Sequence, residues 1–212
     1  KLENIAKEID EVLNGAITSL ITSGDFSGKA SETCVLRNLS MPFKRIILLG
    51  TDGASSPQKI IKAIEAGASA VFKTPAVNVV WATEGLAKDH HWQASIIARS
   101  TITAAYNYSG TGKKPEPKKL KTTTYWCASK SDSDAAENGL NYGGAVGNGM
   151  NTARQLGNLP ANVCTPNYLA DQAKQLAEGQ DNLTTSVLSE AQMQELKMGS
   201  LLSVSAGSVE PA

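Results

Sequence analysis

Apolar residues recur at helical spacing from the start of the chain: Leu2, Ile5, Ile9, Leu13, Ile17 and Leu20 fall on one face. The spacing predicts one long amphipathic helix, closed by a turn between Gly24 and Gly28. The period then shortens. Residues 33–37 predict a short strand. Residues 44–49 contain Ile46, Ile47, Leu48 and Leu49 in a row, as in a strand covered on both faces. That strand runs into Gly50, Thr51, Asp52 and Gly53, a turn. Pro57 predicts the first turn of the next helix, and Gly67 is expected to stop it near Ala66. Residues 70–72 and 78–82 have strand composition, residues 89–108 helical composition, and residues 110–119 are a loop rich in Gly, Pro and Lys. Residues 120–128, with Thr122, Thr123, Thr124, Tyr125 and Trp126 in succession, predict another strand. This alternation predicts an α/β domain over residues 1–128, with a largely parallel sheet and helices on its faces.

The composition shifts at residues 129–134. A long, small-residue helix is predicted over 134–157, followed by an irregular linker over 158–166 holding Pro160 and Pro166. Residues 167–178 predict a helix and residues 183–188 a strand. Ser189 caps a short helix reaching Lys197, and Gly199 punctuates it. Only one strand is predicted after residue 129, and one strand cannot satisfy its own backbone groups. Either it joins the first domain's sheet, or its partners lie beyond Ala212. The expected organisation is an α/β domain over 1–128, a connector helix over 129–157, and the opening of a second domain over 158–212. The chain also starts at Lys1 rather than Met, inside a helical pattern with no capping residue ahead of it, which predicts missing upstream sequence.

Charge narrows the function classes. Lys plus Arg and Asp plus Glu number 20 each, so no global field recruits nucleic acid or an anionic membrane. No apolar run approaches the ~20 residues of a membrane span, and no signal-peptide pattern is present. Cys34, Cys127 and Cys164 are odd in number and far apart, which points to free thiols rather than a disulfide framework or a zinc site.

Four features carry candidate chemistry, each with a plainer reading beside it. The turn at Gly50–Gly53 sits where α/β proteins hold phosphates on backbone N–H groups, but it lacks the glycine-rich fingerprint and reads as a strand-to-helix turn. Gly110, Thr111, Gly112, Lys113 and Lys114 mimic a phosphate loop without its hydroxyl or upstream glycine. With Lys118, Lys119 and Lys121 they form a basic stretch that reads as a solvated loop, with nucleic-acid phosphates as its alternative ligand. His90 and His91 are the only histidines. Neighbours on a helix diverge by about 100°, so a shared metal is not expected. The glycines from Gly143 to Gly149 each cost about 1 kcal/mol in a helix, which predicts a close helix approach in return.

Residues 153–170, from Ala153, Arg154 and Gln155 through Asn158, Pro160 and Asn162 to Thr165, Pro166, Leu169 and Ala170, are not generic. They resemble the start of the catalytic domain in the leucyl aminopeptidases, the two-metal cytosol aminopeptidase family. Residues 193–211, from Met193 through Gly199, Gly207 and Ser208 to Pro211, resemble a second stretch of the same family in the right order. The strand ending at Gly50 follows the family's order more loosely.

The resemblance implies a macro-domain-like N-terminal domain, a connector helix, and the incomplete start of an α/β metallopeptidase catalytic domain. For the full-length protein it implies a cytoplasmic homohexamer that removes N-terminal residues, often leucine, from peptides. Two divalent ions, zinc, manganese or magnesium, would activate a bridging water. The family's metal-binding and catalytic motifs are absent from these 212 residues and would fall after Ala212, and its opening strand would precede Lys1. The resemblance therefore assigns no catalytic, metal or substrate-binding residue to this chain. Asn158, Pro160 and Asn162 are expected to shape the linker turn. DNA binding, known in some bacterial relatives, is the alternative for the basic stretch. A macro-like nucleotide module is the alternative for the Gly50 turn.

Overall fold

The computed structural model describes residues 4–39, 41–53, 56–83, 85–108, 110 and 116–212. Leu2 lies outside them. The predicted first helix is two helices, α1 (Asn4–Val12) and α2 (Ala16–Ser23). Asn14 and Gly15 break it with φ of 53° and 80°. The break is stabilised by Asp10, a residue of α1. Its carboxylate accepts from the Ile17 and Thr18 amides at 2.7 and 3.1 Å and from the Thr18 hydroxyl. Asp10 thus satisfies N–H groups that the first turn of α2 leaves free. Apolar periodicity is blind to this, because it continues across the break.

Strands β1 (Thr33–Arg37) and β2 (Arg45–Leu49) pair antiparallel, with Thr33 opposite Leu49 and Arg37 opposite Arg45. Helix α3 (Pro57–Phe72) follows, capped by the Ser56 side chain on the Lys59 amide. It runs past Gly67, so residues 70–72 are helix and not strand. Gly67 is a packing residue: a Cβ there would lie 3.0 Å from the Trp81 ring, too tight for an ordinary contact. Strand β3 (Asn78–Trp81) pairs parallel with β4 (Thr122–Tyr125), Trp81 opposite Tyr125. The sheet is therefore not largely parallel. Among the described residues there is one antiparallel pair and one parallel pair.

Helix α4 (His90–Ala105) separates β3 from β4, and α5 (Lys130–Asn158) begins four residues earlier than its composition suggested. The core gathers Ile60, Ile64 and Val71 of α3, Ala94 and Ile97 of α4, and the rings of Trp81 and Tyr125. Ile64 and Ile97 are fully buried. Each such side chain contributes about 1.5–3 kcal/mol relative to exposure.

The chain divides into two compact units, one reaching Asn151 and the other covering Thr152–Ala212. The second holds α6 (Pro166–Ala177), α7 (Glu190–Glu195) and α8 (Gly199–Ser205). Ser189 caps α7 in a full capping box with Gln192. One expectation fails here and another stays open. Residues 183–188 enter no ladder among the described residues. Gly199 opens a helix rather than ending one, because Lys197, at φ 58°, already makes the turn.

Candidate functional site

The Gly50 turn spends two of its amides on its own chain. The Gly50 amide donates to the Glu32 carbonyl at 2.8 Å, and the Asp52 amide to the Gly28 carbonyl at 3.0 Å. The Gly50 carbonyl accepts from the Ser31 amide. A Cβ at Gly50 would stand 2.1 Å from the Lys29 carbonyl oxygen, so the glycine is there for close backbone approach. Two of the N–H groups a phosphate cradle would use are thus spent on the 28–32 loop. Glu32 fixes that loop. Its carboxylate accepts from the Ser27 hydroxyl and the Ser27 and Lys29 amides. These bonds, the Ser27 hydroxyl foremost, hold it below the usual carboxylate range.

Helix α4 opens with Asp89 capping the Trp92 amide, and the two histidines follow. His90 joins three elements: its Nδ1 lies 2.9 Å from the Tyr125 hydroxyl at the end of β4, and its Nε2 3.5 Å from Asp132 in the first turn of α5. His91 instead sets its ring 5.9 Å from that of Tyr142. The two histidines do not converge. The His90–Tyr125–Asp132 group was not legible in the sequence, because its members stand 35 and 42 positions apart with no local signal. Among the described residues no group of three or more His, Cys, Asp or Glu could hold a metal ion.

The glycine-rich stretch does what its cost suggested. Gly139 packs on the His91 carbonyl, Gly143 on the Ser95 carbonyl and Gly147 on Ile102, so a glycine every fourth residue seats α5 against α4. In the linker, the Pro160 carbonyl accepts from the Val163 and Cys164 amides at 2.9 and 3.0 Å. Thr165 then caps the Tyr168 amide, with Pro166 opening α6. Pro160 therefore shapes the linker turn as expected, while Asn162 is exposed. Of the basic stretch, Lys113 and Lys114 lie outside the described residues. Lys118, Lys119 and Lys121 are exposed, and the Lys118 ammonium stands 5.6 Å from the Phe72 ring centroid. Cys34, Cys127 and Cys164 are free and partly buried. Among the described residues no helix is long and apolar enough to cross a membrane.

Comparison with known proteins gives a consistent set of relatives. Residues 1–115 match the model of the cytosol aminopeptidase family, N-terminal domain. Residues 151–212 match the model of the cytosol aminopeptidase family, catalytic domain. A probable cytosol aminopeptidase of Paraburkholderia phytofirmans is 39% identical over 100% of this chain and 43% of its own length. The cytosol aminopeptidase of Pseudomonas aeruginosa PAO1 is 34% identical over 100% of this chain and 44% of its own length. The chain thus spans less than half the length of the curated relatives it matches. Among solved structures, a mutant of tomato leucine aminopeptidase superposes with a TM-score of 0.83 at 29% identity, covering 100% of this chain and 42% of that one. The bottromycin maturation enzyme BotP shares the fold, with a TM-score of 0.68 at 21% identity over 91% of this chain and 41% of that one.

Proposed function

The chain belongs to the cytosol aminopeptidase family, and from that premise we propose that it is the N-terminal portion of an enzyme that hydrolyses N-terminal residues, leucine among them, from peptides. The observation that carries this reading is the match of residues 151–212 to the family's catalytic domain. The likeness to tomato leucine aminopeptidase along the whole chain supports it. We assign residues 1–128 to an N-terminal α/β domain, 129–157 to the connector helix and 158–212 to the beginning of the catalytic domain. The unit boundary after Asn151, inside α5, supports α5 as the element that leads from one to the other.

In the full-length protein two divalent ions, zinc, manganese or magnesium, would polarise the scissile carbonyl and supply an activated water. The donor set of the described residues does not fit such a centre. No cluster of three ligating side chains exists among the described residues, and both ring nitrogens of His90 are engaged. On this reading the metal ligands and catalytic groups come from sequence outside residues 1–212. Within the chain, the residues that matched the family's linker pattern act on the backbone: Pro160 folds the turn and Thr165 starts α6. A homohexamer in the cytoplasm is the assembly and compartment this reading carries with it.

The test is leucine release from leucine p-nitroanilide. The full-length protein is expected to release leucine with added manganese or zinc and to stop when a chelator is added. The 212-residue chain alone is expected to release none. Release by the chain alone would overturn the placement of the catalytic groups, and silence from the full-length protein under every metal would overturn the aminopeptidase reading.

A further inference from the structure

The connections that leave the carboxyl ends of β2 and β3 enter α3 at Pro57 and α4 at His90. Between them lies a groove of about 510 Å³, walled by Pro57 and Ile60 of α3, Leu86 of the second connection and Trp92 of α4. Lys88 and Asp89 also line it, and both are exposed. Hydrogen bonds anchor this lining. Gln93, fully buried, donates through Nε2 to the Thr83 carbonyl at 2.8 Å, which ties the connection to α4. Asp89 Oδ1 accepts from the Trp92 amide at 2.9 Å, which fixes the carboxylate at the start of the helix that carries the indole. Among the described residues Lys88 enters no ion pair, and the second oxygen of Asp89 accepts no hydrogen bond.

Small-molecule sites are concave and mostly apolar, about 300–1,000 Å³ in volume, with a few placed polar groups. In α/β folds they favour the carboxyl ends of strands. The groove meets each condition, and its charges then select the ligand. Lys88 and Asp89 put one ammonium and one carboxylate side by side at an apolar wall. A polyanion such as a nucleotide meets Asp89 with like charge, and an apolar acid or amine matches only one of the two groups. A molecule with an apolar body and both charges at one end matches both, its ammonium on Asp89 and its carboxylate on Lys88.

We propose that this groove of the N-terminal domain binds a free amino acid with an apolar side chain, leucine or one of similar size. The side chain packs against Ile60, Leu86 and Trp92, and the zwitterionic end meets Lys88 and Asp89. The site stands on the chemistry of its own lining and not on the aminopeptidase reading, although that reading names the same class of molecule as a product.

Tryptophan fluorescence of the full-length protein, titrated with leucine, tests it. Leucine is expected to change the emission along a saturable curve that Trp92→Phe removes. Lys88→Met is expected to weaken leucine about threefold and to leave isopentylamine, which has no carboxylate, unchanged. Asp89→Asn keeps an oxygen to cap the Trp92 amide. It is expected to weaken leucine about threefold and to leave 4-methylpentanoate, which has no ammonium, unchanged. No saturable change, or one that survives Trp92→Phe, overturns the site. Binding of isopentylamine or 4-methylpentanoate as tight as that of leucine overturns the zwitterion and makes the occupant a singly charged amphiphile. Leucine release from leucine p-nitroanilide by the same preparations separates site from function. A protein that releases leucine without a Trp92-dependent titration sinks the groove alone. One that titrates as expected and releases none sinks the aminopeptidase reading alone.

Discussion

Replacing Gly143 by Ala should destabilise the protein although alanine is the better helix former. A Cβ at Gly143 would lie 2.0 Å from the Ser95 carbonyl oxygen and 2.7 Å from the Ser95 Cα. That is about 1.4 Å short of an ordinary contact, and both neighbours are backbone atoms of a buried helix. No side chain can rotate away, so α5 must lift from α4 or bend. Overpacking of this kind costs about 1–3 kcal/mol, and the rigidity of the obstacle puts this site at the upper end. The gain in helix propensity returns about 1 kcal/mol. The net expectation is a loss of about 2 kcal/mol, or about 4–8 °C in Tm for a chain of this size. Gly149 is the internal control: it lies in the same helix with nothing within 4 Å of its would-be Cβ. Gly149→Ala should therefore stabilise, by up to about 1 kcal/mol. Thermal melts of the two variants beside the parent read both terms. Shifts of the same sign would refute the claim that the glycines at 139, 143 and 147 are present for helix approach.

Asp10 is held below the usual carboxylate range, chiefly by the Thr18 hydroxyl, with the Thr18 and Ile17 amides adding to it and burial opposing. Its contribution is therefore present above the ordinary carboxylate range and lost as pH falls through the lowered folded value. Urea melts of Asp10→Asn should fall short of the parent at pH 7 and converge with it in acid; a gap that widens in acid would contradict this. Ser189→Ala removes the capping box of α7 and should cost about 1 kcal/mol locally, seen as faster amide exchange over residues 190–195. Tyr125→Phe leaves His90 Nδ1 without the hydroxyl and should cost about 1 kcal/mol in a chemical melt, with a smaller loss in a His90→Phe background.

Where burial imposes a simple period, the sequence was readable. Strand β1 falls on residues 33–37 as predicted, and the run Ile46 to Leu49 marks β2 within one residue. Misreadings cluster where one residue type serves two physical ends. Gly67 looked like a helix stop because glycine commonly ends helices, yet its missing side chain admits the Trp81 ring. Gly15 breaks a helix that the apolar pattern runs straight through, because Asp10 offers its carboxylate to the next helix. Pairing sense was equally hidden: the antiparallel β1–β2 pair and the parallel β3–β4 pair have similar compositions, and only the intervening α4 separates the second two. The group at His90 was invisible, since tertiary packing alone brings Tyr125 and Asp132 to it. The linker was readable at once, because Pro160, Thr165 and Pro166 act on backbone geometry at fixed spacing.

The two units differ in how they use apolar surface, and that difference bears on where chemistry can reside. In the first unit Ile60, Ile64, Ile97, Trp81 and Tyr125 form a closed core, and its polar candidates are consumed in holding it together: the Gly50 amide on Glu32, His90 between Tyr125 and Asp132. Groups so engaged are poor ligands, because freeing one leaves its partner unsatisfied at about 1–3 kcal/mol where buried. The second unit buries one large apolar side chain among the described residues, Met193, while Leu176, Leu196 and Val204 remain 61–84% exposed. An active centre needs ligands whose rotamers are locked by packing. Among the described residues neither unit brings three such ligands together. The aminopeptidase proposal accordingly draws its metal ligands from sequence outside residues 1–212.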